Sequence, residues 1–115
     1  MRSDDTPLRN AAIETLGTLG EAAVEALEPL LKDPDVDLRI YALTALERTF
    51  SLRAAEVALR IALHDEDVNV CAAAVDVVAQ SGAREMSAAL DAVALRFPDR
   101  PFLAFAARAA QHAIG

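Results

Sequence analysis

Polar and apolar positions in this chain recur with a period just above thirty residues. Four segments open the cycles: Ser3-Asp4-Asp5-Thr6-Pro7-Leu8-Arg9, Asp33-Pro34-Asp35-Val36-Asp37-Leu38-Arg39, Asp65-Glu66-Asp67-Val68-Asn69-Val70-Cys71 and Phe97-Pro98-Asp99-Arg100-Pro101-Phe102-Leu103, at successive offsets of 30, 32 and 32 residues. Within them Asp5, Asp35, Asp67 and Asp99 share a column, and behind them two more stay in register: Ala12, Ala42, Ala74, Ala106; and Leu16, Leu46, Val78, Ala110. A self-similarity of this length marks an array of supersecondary units, none of which buries its apolar face alone.

Inside each cycle the apolar residues keep helical phase. Ala12, Ile13, Leu16 and Leu19 fall at i, i+1, i+4 and i+7, and Ala42, Leu43, Leu46 and Ala74, Val75, Val78 repeat the start of that pattern. Breaks follow between Gly17 and Gly20, at Phe50 and Ser51, and at Ser81 and Gly82; Gly20 and Gly82 suit the left-handed position past a helix end. A second amphipathic run follows each break, over residues 21–32, 52–64 and 83–97, and a last one covers residues 101–114. Thr6-Pro7 and Asp33-Pro34 supply the cap and first-turn chemistry of the helices they precede. The pattern predicts an all-α chain of about seven helices: one domain over residues 1–115, with helical hairpins at about 3–32, 33–64 and 65–96 and a partial unit at 97–115, stacked as a short right-handed α-solenoid. Leu46 and Val78 take the inward phase and Glu25 the outward one. Pro29, inside a predicted helix, should kink it or shorten its start.

Composition reinforces helix and narrows the partners. Of 115 residues 54% are hydrophobic and only 4% aromatic, with alanine commonest, a bias that favours helix over strand. The longest clean apolar run, at residues 101–107, is far shorter than the roughly 20 residues that span a bilayer. The opening Met1-Arg2-Ser3-Asp4-Asp5 lacks the layout of a signal peptide, and the single Cys71 allows no internal disulfide; a cytoplasmic protein is the expectation. The net charge of −7, with Lys32 the only lysine, argues against nucleic acid and anionic membranes as partners.

The pattern Asp33-Pro34-Asp35-Val36, Arg39, Ala42, Ala45-Leu46 resembles HEAT-like repeats of the type first noted in phycobilisome bilin lyases. The likeness runs along essentially the whole chain, is best in the second unit and weakest in the fourth, and is specific for fold rather than function. It implies an Asp–Arg pair in each unit, met by Asp5 with Arg9 and Asp35 with Arg39, while Cys71 and Leu103 stand where the arginine would recur. It also implies that the second helices of the units line a concave face.

No reactive constellation emerges from the residues themselves. The acids at 33, 35, 37 and 65–67 alternate like calcium ligands, but Leu38 and Val70 occupy the sixth position, where such a loop needs glycine. They read instead as helix N-terminal anions, each worth about 0.3–1 kcal/mol. A zinc site wants closely spaced His and Cys ligands, and Cys71 with His64 supplies at most two; Lys32, His64 and Arg96 share a column at helix C-termini, where cations are favoured. Cys71 lacks a base and an orienting group, and no glycine-rich phosphate loop is present. The expectation is a non-enzymatic protein-interaction or scaffold module without catalytic residue, cofactor or metal.

Its candidate partner-binding residues are the polar positions of the second helices: Glu21, Glu25, Glu28, Arg53, Glu56, Arg60, His64, Arg84, Ser87 and Asp91. Glu21 with Arg53 and Glu28 with Arg60 stand 32 apart, so this face reads equally as a ladder of ion pairs or as a charged surface for a peptide. Phe102, Phe105 and Ala109, with Ala106 and Ala110, form an apolar stripe on the last helix, a candidate for homodimer formation or for packing against more of a longer chain, the rival reading being a self-contained cap over residues 97–105. Two other readings come from proteins of similar fold: a bilin-lyase-like enzyme subunit or chromophore chaperone, and a DNA-repair glycosylase-like protein. The scarcity of aromatic residues disfavours the first, and the negative charge disfavours the second.

Overall fold

The two aspartate-rich turns predicted at Asp33 and Asp65 share a pair of amide-to-carboxylate hydrogen bonds. In a computed structural model describing residues 21–49 and 51–114, the Asp35 amide donates to Asp33 Oδ1 at 2.8 Å and the Asp67 amide to Asp65 Oδ1 at 2.9 Å. One step on, the amides of Asp37 and Asn69 donate to the Oδ1 atoms of Asp35 and Asp67. Asp35 and Asp67 are thus N-caps in extended conformation, which satisfy orphan amide groups of the helices they start. The alternating acids point at backbone donors, and among the described residues no group of three or more His, Cys, Asp or Glu gathers around a common centre.

Six α-helices are described: α1 Glu21–Leu31, α2 Val36–Glu47, α3 Leu52–His64, α4 Val68–Ser81, α5 Ser87–Ala94 and α6 Pro101–Ile114. No strand occurs among the described residues. The helix predicted ahead of Gly20 lies outside them. α3 starts at Ser51, whose hydroxyl accepts from the Ala54 amide at 3.0 Å. α4 closes at Gly82, which takes φ +69° as a left-handed cap. Pro29 does not shorten the start of α1, which already runs from Glu21; it is carried in the last turn, and the helix ends two residues later with the Lys32 amide bonded back to the Pro29 carbonyl at 3.3 Å.

One predicted helix is corrected. The run expected over residues 83–97 is a 3₁₀ turn at Arg84–Met86 followed by α5, which stops at Ala94. Ala83 is extended and offers no capping side chain, so the start tightens into 3₁₀ geometry. At the other end Pro98 disfavours helix at Phe97, and the amides of Leu95 and Arg96 turn back to Ala92 and Val93.

The most extensive packing joins α3 with α4 across the Asp65 turn, and α1 with α2 and α5 with α6 also pack across their connecting turns. α2, α4 and α6 also pack in succession, while α1, α3 and α5 touch more lightly, and the consecutive α2 and α3 scarcely meet. The repeat columns supply the core. Ala42, Leu46, Ala74 and Val78 are fully buried and Ala110 nearly so, alongside Leu27, Leu38, Leu43, Leu90 and Leu103. No charged or polar side chain is buried among the described residues.

Candidate functional site

Polar contacts concentrate where one unit meets the next. Arg39, near the start of α2, donates from Nε to Asp65 Oδ2 at 3.0 Å and from a terminal nitrogen to Asp65 Oδ1 at 3.3 Å. Its other terminal nitrogen donates to the Asp33 carbonyl at 2.8 Å. A planar guanidinium thus ties its own turn to the following one through a two-pronged bond to a carboxylate, with both side chains mostly covered.

The next joint uses other atoms for the same purpose. Cys71 stands 32 residues after Arg39, and its thiol donates to the Asp65 carbonyl at 3.4 Å, the equivalent of the Asp33 carbonyl. The space of the missing guanidinium is filled from ahead in the chain: Arg96 donates from one terminal nitrogen to the Ala62 carbonyl at 2.9 Å and to Cys71 Sγ at 3.2 Å. Phe97 replaces the aspartate that would receive an arginine, and the Arg96 guanidinium lies 4.9 Å from its ring centroid. Arg96 therefore serves the C-terminal end of α3, not that of its own helix as the shared column had suggested. Burial pushes the Cys71 thiol up, against the downward pull of Arg96, which favours its neutral, donating form.

The predicted partner-binding residues spread over α1, α3 and the α5 region. Arg53, Glu56, Arg60 and His64 are exposed on α3 at spacings of three and four, hence along one face. Glu25 is exposed on α1, Glu28 is half-buried there, and Glu21 is the first residue of that helix. Arg84 is exposed in the 3₁₀ turn. The expected Glu28–Arg60 rung does not form: among the described residues the ion pairs seen are Arg39–Asp65 and Arg108–Asp91. α1 and α3 touch too lightly to hold two long solvated side chains together, and exposed pairs return little free energy.

Ser87 and Asp91 belong to a different arrangement, one the sequence did not disclose. Gln111 of α6 donates to the Ser87 carbonyl at 2.7 Å and to Asp91 Oδ1 at 2.9 Å, and Arg108 pairs with the same carboxylate. These bonds, Gln111 first and Arg108 next, hold the Asp91 carboxyl below its ordinary range. They lock α5 against α6.

A second acidic group lies on the opposite row. Glu47 of α2 and Asp76 of α4 are both shifted up, chiefly by partial burial, with Asp76 adding repulsion at Glu47. Nearby, Thr44, Glu47, Arg48 and Gln80 line an open cleft of about 300 Å³.

No family model, curated protein or solved structure matches the chain. Among the described residues, no helix is long and apolar enough to cross a membrane.

Proposed function

We propose that this chain is a short HEAT-like α-solenoid acting as a non-enzymatic protein-interaction or scaffold module, with the α1–α3–α5 row as the surface offered to another protein. One observation carries the reading: Arg53, Glu56 and Arg60 are exposed along one face of α3 and enter no ion pair among the described residues. Side chains that the fold does not consume remain available to a partner, and repeat arrays present such rows as extended surfaces. The repeat register, the succession of α2, α4 and α6 on one side, and the matching aspartate turns support the solenoid reading. The mixed charge of the row suits a protein surface with both signs, whereas the net charge of −7 disfavours a polyanion.

A photo-crosslinking amino acid placed at Arg53 or Arg60, and separately at Asp76 on the other row, tests this in cells that make the protein. A discrete protein adduct at the α3 positions, absent at Asp76 and lost when Glu56→Arg is added, is the expected result. Equal adducts at both faces, or none at α3, would overturn the assignment of the surface.

A further inference from the structure

The last helix leaves bare a face that its two counterparts bury. Leu38, Ala42 and Ala45 of α2 correspond in the repeat to Val70, Ala74 and Val77 of α4, and all six are at most 2% exposed. The corresponding residues of α6 are Phe102, Ala106 and Ala109. Phe102 is 43% exposed, Ala109 is exposed and Ala106 half-buried, with Phe105 alongside at 77%. The remaining face behaves like those of the inner helices: Leu103, Ala107, Ala110 and Ile114 are buried. One side of α6 is thus packed as in α4, while the side that α4 turns to its successor is open and carries two phenylalanines.

The order of residues on that side points to its occupant. Phe102 and Phe105 lie in the N-terminal half of α6, and Ala109 and Ala113 in the C-terminal half, all exposed. At about 1.5 Å per residue, the bulky half and the shallow half each take roughly half of a 16 Å stripe. A second α6 laid antiparallel across a two-fold axis sets phenylalanines of each copy against alanines of the other, a large-to-small match a helix makes with itself. Charge removes the usual obstacle to self-association in an acidic chain: α6 contains no Asp or Glu, although the net charge is −7. Arg108, its one arginine, is occupied by Asp91 and Gln111.

We infer that a second copy of this chain covers this face, through an isologous antiparallel pairing of α6 with α6 centred near Ala107. The contact extends across copies the packing that joins α4 to α6 within one, and it leaves the α1–α3–α5 row clear, so it stands or falls independently of the interaction surface proposed above.

Sedimentation velocity across a concentration series tests it, on the full chain and on Phe105→Glu and Ala109→Glu. The expected result is twice the monomer mass for the parent chain at the upper concentrations. Each variant should be monomeric there while keeping the parent's helical signal and dilute-solution melting, since both sites are exposed. A parent that stays monomeric throughout overturns the inference, as does a dimer that survives both substitutions. Orientation is read by mixing Phe102→Cys and Ala113→Cys chains, both carrying Cys71→Ala, under mild oxidation. Mixed disulfide dimers support antiparallel pairing, and a predominance of same-residue links overturns it.

Discussion

Arg39 and Asp65 lie 26 residues apart and are joined by two parallel hydrogen bonds, with side chains only 15% and 12% exposed. Asp65 also accepts the Asp67 amide, so one carboxylate both receives the preceding unit and shapes the turn that starts α4. Replacing it removes both contacts.

Asp65→Ala should therefore destabilise the fold by about 2–3 kcal/mol, because it strands a partly buried guanidinium and a turn amide together. Arg39→Met should cost less, about 1–2 kcal/mol, since Asp65 keeps its bond to the Asp67 amide and the methionine stem retains packing. Urea titration of both variants checks the order. Equal losses would mean that the turn bond contributes nothing of its own.

Leu46 and Val78 occupy one repeat column and are wholly buried, whereas Glu25 faces solvent. Leu46→Ala should lose about 2–5 kcal/mol through the cavity it leaves, and Val78→Ala, with fewer atoms removed, about 1–3 kcal/mol. Glu25→Ala should stay within about 0.5 kcal/mol. Chemical denaturation of the three variants separates these values cleanly.

Gly82 holds φ +69°, and a Cβ added there would meet nothing within 4 Å. The cost of Gly82→Ala is then conformational only, about 1–2 kcal/mol, and Gly82→Asn should recover part of it because asparagine tolerates the left-handed region. Thermal melts of the pair test the point; an alanine variant as stable as the parent would show that α4 ends by other means.

Asp76 and Glu47 titrate above their ordinary range, so the fold prefers both protonated. For a raised carboxyl the stabilising contribution is complete below the unfolded value and is lost as pH rises through the folded one. Asp76→Asn should accordingly raise the melting temperature at neutral pH. The gain should shrink as pH falls through the raised value of the folded state, where the parent's own carboxyl takes up its proton. A gain that persists unchanged at pH 3 would point to packing rather than ionisation.

Much of the helical architecture was open to reading because it depends on neighbours three, four or about 32 positions away. The turns start helices where predicted, although Asp35 takes the cap two residues beyond the expected Asp33 and leaves Pro34 outside the first turn; α3 spans the forecast residues, and Leu46 and Val78 fall inward. Contacts set by how one helix row lies on another escaped the reading. Nothing in the spacing pairs Arg96 with Ala62, 34 residues back, or Gln111 with Asp91, 20 residues back; those depend on where chain ends and helix faces arrive after packing. The column placing Arg96 beside Lys32 and His64 was right about a helix C-terminus and wrong about whose. The Glu28–Arg60 rung failed for the converse reason: a correct offset does not bring two side chains together when the helices carrying them barely touch.

The two unlike joints give the chain a grammar for growth. The stretch 33–64 enters with an aspartate that matches Asp65 and leaves with Arg39, so a tandem duplicate of it would reproduce the same arginine–carboxylate clasp at each new boundary. The stretch 65–96 enters with an aspartate but leaves through Cys71, with Arg96 folded back behind it and Phe97 next in line. Copied in tandem, it would set the aspartate of the new copy directly after Arg96, the guanidinium that already fills the space of the missing arginine. Lengthening by gene duplication thus reuses an existing clasp in the middle of this molecule and needs a rebuilt one toward its end.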